Sequence, residues 1–352
     1  MTDSTTELWY TRCPVPTAFG IATRNGQLAA DYSEVGVDFN SLASSTSPQV
    51  RQAHFEQNQP RSFRHGGNIP PLVAASRGTD VRFIGLSWAP SSSVILALPG
   101  AGIEGPEDLR GKRLAVPVRV NDSIDFWRAS VLQGFERALD RGGLGWEDVV
   151  RVELPVARAF IGDSTRSTGR NASLWDASFM MSLQREETAA LLSGEVDAIY
   201  SEGSNSVIAE AVSGARRVVD LTSEAAPPAF PNNQRPLTFT VSGELLDERP
   251  DLVDIALRRV VAVAGWARAE EIEAKRQIAA EIGIAEELID RSYSPNVHAG
   301  LEVSLADDLV DALQAQHDFL VEHGFIERPG SVRDLIAPEP LQRVLAETGA
   351  AA

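Results

Sequence analysis

The sequence predicts an α/β protein of two lobes with a cleft between them. Three observations carry that expectation. Short apolar, β-branched runs alternate with helical patterns as far as residue 221, as in sheets faced by helices. From TFTVS (238–242) onward the chain turns mostly helical and must pack back on the first unit. With 352 residues and 43% hydrophobic content, the chain can fill one large core or two of ordinary size. A cleft between two such lobes is a common small-ligand site.

Taken in order, residues 8–13 make a short apolar start that ends at Cys13-Pro14-Val15-Pro16. A residue before proline is pushed toward extended geometry, so Cys13 is expected where a first strand runs into a loop. Residues 18–30 suit a helix interrupted at Asn25-Gly26, and 35–40 suit a strand. A Ser-rich loop follows at 41–48, and a helical run at 70–77. VRFIGLS (81–87) and VILAL (94–98) are apolar enough for buried, parallel strands. After a short helix at PEDLRGKR comes the strand LAVPV (114–118). Trp127, Val131, Phe135 and Leu139 then recur every four residues on one helix face, which Gly142-Gly143 ends. Strands are expected at 149–154, 196–200 and 216–221, with helices at 184–193 and 203–213. Residues 223–236 read as a linker, and helices at 251–269, 270–282 and 304–323 close the chain.

A net charge of −17 argues against nucleic acid or anionic membrane surfaces as partners. The start, MTDSTTELWYTRCP, has neither the basic nor the apolar segment of a secretory signal. No apolar run approaches the roughly 18 residues of a membrane span, so a cytoplasmic location is expected. A single cysteine leaves no disulfide framework and no cysteine-rich metal site.

The stretch from His54 to Leu72, HFEQNQPRSFRHGGNIPPL, lacks helical or strand periodicity and is expected as a surface loop. It reads either as a polar connection or as a loop that carries chemistry. Arg64 can fork onto an oxyanion, and His54 can hold or move a proton near neutral pH. Gly66-Gly67 lets backbone N–H groups approach a ligand closely. Cys13 is open to two readings, a small buried hydrophobe or a nucleophile with His54 and Arg64 as partners. Arg61 and His65 are assigned solvated or supporting roles.

Other signals point elsewhere. Gly100, Gly102 and Gly105 match GxGxxG, but the next strand begins near Leu114 and leaves no room for a crossover helix, so a tight turn is expected. Gly162-Asp163-Ser164 lacks the partners of a serine hydrolase and reads as polar loop. His298, His317 and His323 lack metal-ligand spacing and are expected to be structural. Trp127 opens its helix after a polar loop, and suits a core position or a pocket wall.

The segments PEDLRGKRLAVPV, LGWEDVVRVEL, LLSGEVDAIY and TFTVSGELLDERP resemble the periplasmic-binding-protein family for nitrate, sulfonate and taurine. That resemblance implies the type 2 periplasmic-binding-protein-like fold. Its first lobe would comprise 1–112 and 236–352 and carry the Cys/His/Arg site; its second lobe would comprise 113–235. Tyr10-Thr-Arg-Cys-Pro-Val-Pro and His54-Phe…Gln59-Pro…Arg64-His-Gly-Gly-Asn-Ile-Pro-Pro-Leu further resemble the aryl-sulfinate desulfinases of dibenzothiophene desulfurisation.

This second resemblance implies a cytoplasmic, cofactor-free hydrolase of carbon–sulfur bonds; the chain itself is expected to be a monomer that acts on a small molecule. It would convert 2′-hydroxybiphenyl-2-sulfinate or a related aryl sulfinate to the arene and sulfite. Cys13, His54 and Arg64 would be catalytic, with Gly67, Gln59 and Trp127 binding substrate. The chain departs from the family pattern at Arg12, Gln57 and His65. The alternatives are a non-catalytic solute-binding protein for a sulfonate- or nitrate-type anion and a pyrimidine synthase on the same fold. The missing cysteine-rich motif counts against the synthase.

Overall fold

The computed structural model describes residues 6–161, 183–222 and 231–349. A five-stranded sheet of order β2-β1-β3-β10-β4 organises the first lobe. Its strands are β1 (Thr6–Arg12), β2 (Val37–Ser41), β3 (Ser62–Gly66), β4 (Val81–Ser87) and β10 (Leu237–Ser242). In the second lobe, β5 (Ser93–Ala97) lies between β8 (Ile199–Glu202) and β9 (Arg216–Asp220). There β6 (Arg113–Arg119) pairs with β7 (Val150–Val156), and a bridge from Leu114 to Ala198 ties this pair to the segment entering β8.

The sheets are not uniformly parallel, as the alternating pattern led one to expect. β1, β2 and β3 are parallel, but β10 runs against both β3 and β4. β5 likewise runs against β8 and β9. Both reversed strands, β5 and β10, are the first strands after the chain passes from one lobe to the other. β5 precedes the boundary at residue 112 implied by the family resemblance, yet its hydrogen bonds are to β8 and β9.

Most expected elements form within a few residues of their predicted ends. The interrupted first helix is two helices, Ala18–Arg24 and Gln27–Glu34, separated at Gly26, whose φ of 73° an L side chain rarely adopts. Thr17 caps the first of them by accepting the Gly20 N–H at 2.9 Å. The stretch 54–72 is a different matter. His54 lies in the last turn of the helix Pro48–Glu56, Arg64 lies in the central strand β3, and the helix Ile69–Ser76 follows. The loop reading fails because β3 is short and places a buried arginine and histidine in mid-sheet, which erases the apolar alternation.

One apolar cluster, with Phe19, Phe63, Phe239 and Leu257, fills the first lobe. A second joins Phe55, Ile69 and Leu72 to Trp127, Phe135 and Tyr200, so apolar packing continues from one lobe to the other beneath the cleft. Among the described residues, no helix is long and apolar enough to cross a membrane.

Candidate active site

Cys13 stands one residue beyond β1, where its N–H donates to the His65 carbonyl at 3.1 Å and fixes the register against β3. The side chain is half-buried. It fits because β3 ends in glycine: a Cβ on Gly66 would stand 2.3 Å from Cys13 Sγ and 2.8 Å from its Cβ. Successive strand side chains alternate faces, so Thr11 and Cys13 point to one side and Arg12 to the other. Arg12 is buried in an ion pair with Glu281, which removes it from the thiol's surroundings.

His54 meets both residues on that face. Its Nδ1 lies 2.7 Å from Thr11 Oγ1 and its Nε2 3.7 Å from Cys13 Sγ. If Thr11 donates to Nδ1, the ring proton is on Nε2 and faces the sulfur. If Nδ1–H donates to Thr11, Nε2 carries the lone pair that can accept the thiol proton. The helix end that carries His54 is held by Gln57, in left-handed conformation with φ 55°, whose Nε2 donates to the His54 carbonyl at 2.8 Å. Thr240 Oγ1 in turn donates to Gln57 Oε1 at 3.3 Å. Burial, reinforced by the Arg64 charge, holds the His54 pKa well below the ordinary histidine value. The imidazole is therefore neutral at physiological pH.

Arg64 is 2% exposed. One terminal nitrogen donates to Cys13 Sγ at 3.3 Å, the other to the Gly67 carbonyl at 2.7 Å, and Nε has no partner among the described residues. Burial lowers its pKa, and the neighbouring Cys13 opposes that shift. No carboxylate among the described residues pairs with it. A buried guanidinium without a counter-ion is costly unless an anion completes it.

Gly67 follows, beneath the side chain of Asn233: an added Cβ would lie 2.6 Å from Asn233 Oδ1. Asn233 is anchored there because its Oδ1 accepts the Ile69 N–H at 3.1 Å and its carbonyl accepts the Asn68 N–H at 2.9 Å.

These groups line one cleft. Phe55 and Phe126 stack with ring centres 6.0 Å apart, and Phe160 stacks on both. Trp127, 1% exposed, also lines the cleft and donates its indole N–H to Glu187 at 2.6 Å. Burial raises the Glu187 pKa to about 7. Glu202, Ser204, Asn205 and Gln234 form a second polar region of the lining.

The fold thus brings together Cys13, His54, Arg64, Gly67 and Trp127. Gln59 is not part of the cleft. The left-handed turn at Gln57 leads the chain outward, and Gln59 is half-exposed, with Nε2 reaching only the Pro60 carbonyl at 3.5 Å. Arg61 is half-exposed and paired with Glu244 and Glu248. His65, assigned a solvated or supporting role, is completely buried against Phe239, and burial lowers its pKa to about 3.

Thr11, Glu202, Asn233 and Gln234 escaped sequence reasoning, and Gly66, read as a ligand approach, instead makes room for Cys13. The Asn-Asn-Gln-Arg run at 232–235 had the same weak periodicity and polar character as 54–72, and was the one available signal.

The remaining motifs lie elsewhere. The Gly100–Gly105 segment is a turn leading into the short 3₁₀ helix Pro106–Leu109. His317 contacts Asp318 and His323 contacts Glu136. No metal-binding cluster of His, Cys, Asp and Glu occurs among the described residues. Gly162-Asp163-Ser164 lies outside them.

No protein-family model matches the chain. It is 26% identical over 357 residues to the 2′-hydroxybiphenyl-2-sulfinate desulfinase of Rhodococcus erythropolis, covering 96% of this chain and 93% of that protein. The crystal structure of a cysteine-to-serine variant of DSZB in complex with biphenyl-2-sulfinic acid matches with a TM-score of 0.77 at 25% identity. The match covers 97% of this chain and 99% of that one. The periplasmic aliphatic sulphonate binding protein SsuA of Escherichia coli shares the fold, with a TM-score of 0.64 at 18% identity over 95% and 92% of the two chains.

Proposed function

We propose that this chain, like the desulfinase it resembles over nearly its whole length, is a hydrolase that cleaves the carbon–sulfur bond of an aromatic sulfinate, using Cys13 and no cofactor. The observation that carries this reading is Arg64, a buried cation with no carboxylate partner among the described residues, donating to the sulfur of the chain's one cysteine. An anionic head group seated there completes the charge, and the aromatic wall of Phe55, Phe126 and Trp127 suits an aryl body.

In this mechanism Arg64 and the Gly67 N–H hold the sulfinate oxygens. Neutral His54 accepts the Cys13 proton through Nε2, while Thr11 accepts from Nδ1. The thiolate sulfur attacks the sulfinate sulfur, and the electron pair of the breaking C–S bond goes to the ring carbon. That carbon takes the proton from His54, and the arene leaves. Water then hydrolyses the sulfur–sulfur bond, releasing hydrogen sulfite and restoring the thiol. Overall, one sulfinate and one water give one arene and one hydrogen sulfite, with no external oxidant or reductant. Fixed donors for the sulfinate oxygens stabilise charge as the bond breaks, worth about 3 kcal/mol per donor by analogy with oxyanion sites.

The test is sulfite release over a panel of aryl and alkyl sulfinates. Cys13→Ser is expected to abolish release while retaining sulfinate binding by calorimetry; turnover by that variant would refute the assignment. The fold shared with a sulphonate binding protein favours a second reading, a non-catalytic anion-binding protein. Tight sulfonate binding by the wild-type chain with no sulfite release from any sulfinate would select it.

A further inference from the structure

The chain re-enters the first lobe through a tight turn, Asn232 to Arg235. The Asn232 N–H donates to the Arg235 carbonyl at 2.9 Å, and the Arg235 N–H to the Asn232 carbonyl at 3.1 Å. The two middle residues, Asn233 and Gln234, line the cleft that holds Cys13. The two end residues, Asn232 and Arg235, line a second cavity, which has no lining residue in common with the first. The helix Phe126–Arg141 adds Gln133 and Arg137 to that cavity, β5 adds Ser93 and β8 adds Tyr200. Arg235 is 2% exposed, and its Nε and Nη1 have no hydrogen-bond partner among the described residues. No carboxylate among the described residues forms an ion pair with it. Glu202 acts on it only at a distance, because that carboxylate accepts from the Tyr200 hydroxyl at 2.8 Å, Gln234 Nε2 at 3.2 Å and Asn232 Nδ2 at 3.4 Å.

The other polar groups of the cavity are turned to one another. Because the Tyr200 hydroxyl donates to Glu202, the Ser93 hydroxyl donates to Tyr200, at 2.9 Å. Asn232 Oδ1 accepts the Gln234 N–H at 2.9 Å. Gln133 and Gln316 share one amide–amide bond of 2.8 Å, which forms equally well with both amides turned, and then Gln133 presents its NH₂ instead of its oxygen. Burial lowers the Arg235 pKa; Tyr200 and Glu202 oppose that shift, and the Arg137 charge adds to it. A buried guanidinium left uncompensated is costly, and an anion in the cavity that both arginines line relieves it. Apart from Arg137, the polar lining is buried, so only a small ion fits. We propose that this cavity is a second anion site, in which Arg235, with Arg137 beside it, binds a small inorganic anion such as a halide or sulfate. The bound ion would hold one end of the turn whose centre carries Asn233 and Gln234 into the catalytic cleft. Nothing in this assignment depends on the desulfinase reading.

Two measurements test it, and neither reads sulfite release, so their failure would leave the desulfinase reading untouched. Crystals of the wild-type chain soaked in sodium bromide should show an anomalous peak within hydrogen-bond reach of the Arg235 guanidinium. Only water there, with bromide bound elsewhere, would overturn the proposal. In solution, urea unfolding of the wild type and of Arg235→Met is followed with added sodium bromide or sodium sulfate, against sodium gluconate at equal ionic strength. An anion with a Kd of about 10 mM raises the folded-to-unfolded ratio about 10-fold at about 100 mM. The wild-type gain should exceed that of Arg235→Met by this factor or more with at least one of the two salts. Binding at Arg64 and general salt effects stabilise both chains alike, so equal gains would overturn the proposal. An excess with bromide alone assigns the cavity to a monatomic ion, and one with sulfate assigns it to an oxyanion. Should Arg235→Met fail to fold, the wild-type crystals still decide.

Discussion

Gly66→Ala tests how the thiol is positioned. The added methyl would stand 2.3 Å from Cys13 Sγ, 2.8 Å from Cys13 Cβ and 3.4 Å from Cys13 N. Ordinary carbon–sulfur contact requires more than about 3.5 Å, so the sulfur must move by roughly 1 Å. Rotating the cysteine side chain cannot relieve the clash, because its Cβ is also struck. The strands must separate instead, pulling on the Cys13 N–H to His65 carbonyl bond of 3.1 Å. Such overpacking costs about 1–3 kcal/mol of stability. The larger effect falls on the 3.3 Å contact to Arg64 and the 3.7 Å contact to His54, since a 1 Å misplacement of reacting groups can lower the rate about 100-fold. Sulfite-release kinetics, thermal unfolding and the rate of thiol alkylation measure the three consequences. A variant within threefold of wild type in kcat/KM, with unchanged unfolding temperature, would refute the claim that this glycine seats the cysteine.

Two further outcomes are expected. Gln59→Ala should leave kcat/KM for any aryl sulfinate within about twofold of wild type, since residue 59 lies outside the cleft; a tenfold loss would return it to the site. Glu187→Gln should become more stable relative to wild type as pH rises from 5 to 8. The native carboxyl, raised to about 7 by burial, keeps a proton that the unfolded chain loses near 4.5, so the wild type loses stability through that window. The shift corresponds to about 3 kcal/mol, read as the difference between urea midpoints of the two proteins at each pH, and a pH-independent difference would count against it.

Much of the architecture was legible because most elements obey local rules. β4 and β6 are continuous apolar runs, and the helix Phe126–Arg141 shows its buried face as a regular apolar spacing ended by glycine. β3 was not legible. Its Arg64 and His65 are polar, and their burial is stabilised by groups distant in sequence: Cys13, Ser87 and Phe239. The site followed the same division. Cys13, His54, Arg64 and Gly67 stood out as residue types in a recognisable order, whereas Thr11, Glu202, Asn233 and Gln234 are ordinary residues until the lobes meet.

By itself, then, the sequence determined the two-lobed α/β plan and singled out Cys13, His54, Arg64 and Gly67 as candidates, because periodicity, turn residues and reactive side chains are local properties. The tertiary structure alone decided that His54 is neutral and faces Cys13, that no carboxylate among the described residues pairs with Arg64 while Glu281 pairs with Arg12, and that a buried acidic side chain, Glu202, lines the same cleft. Each of these depends on burial and on partners from strands far apart in the chain, and neither is encoded in any local stretch.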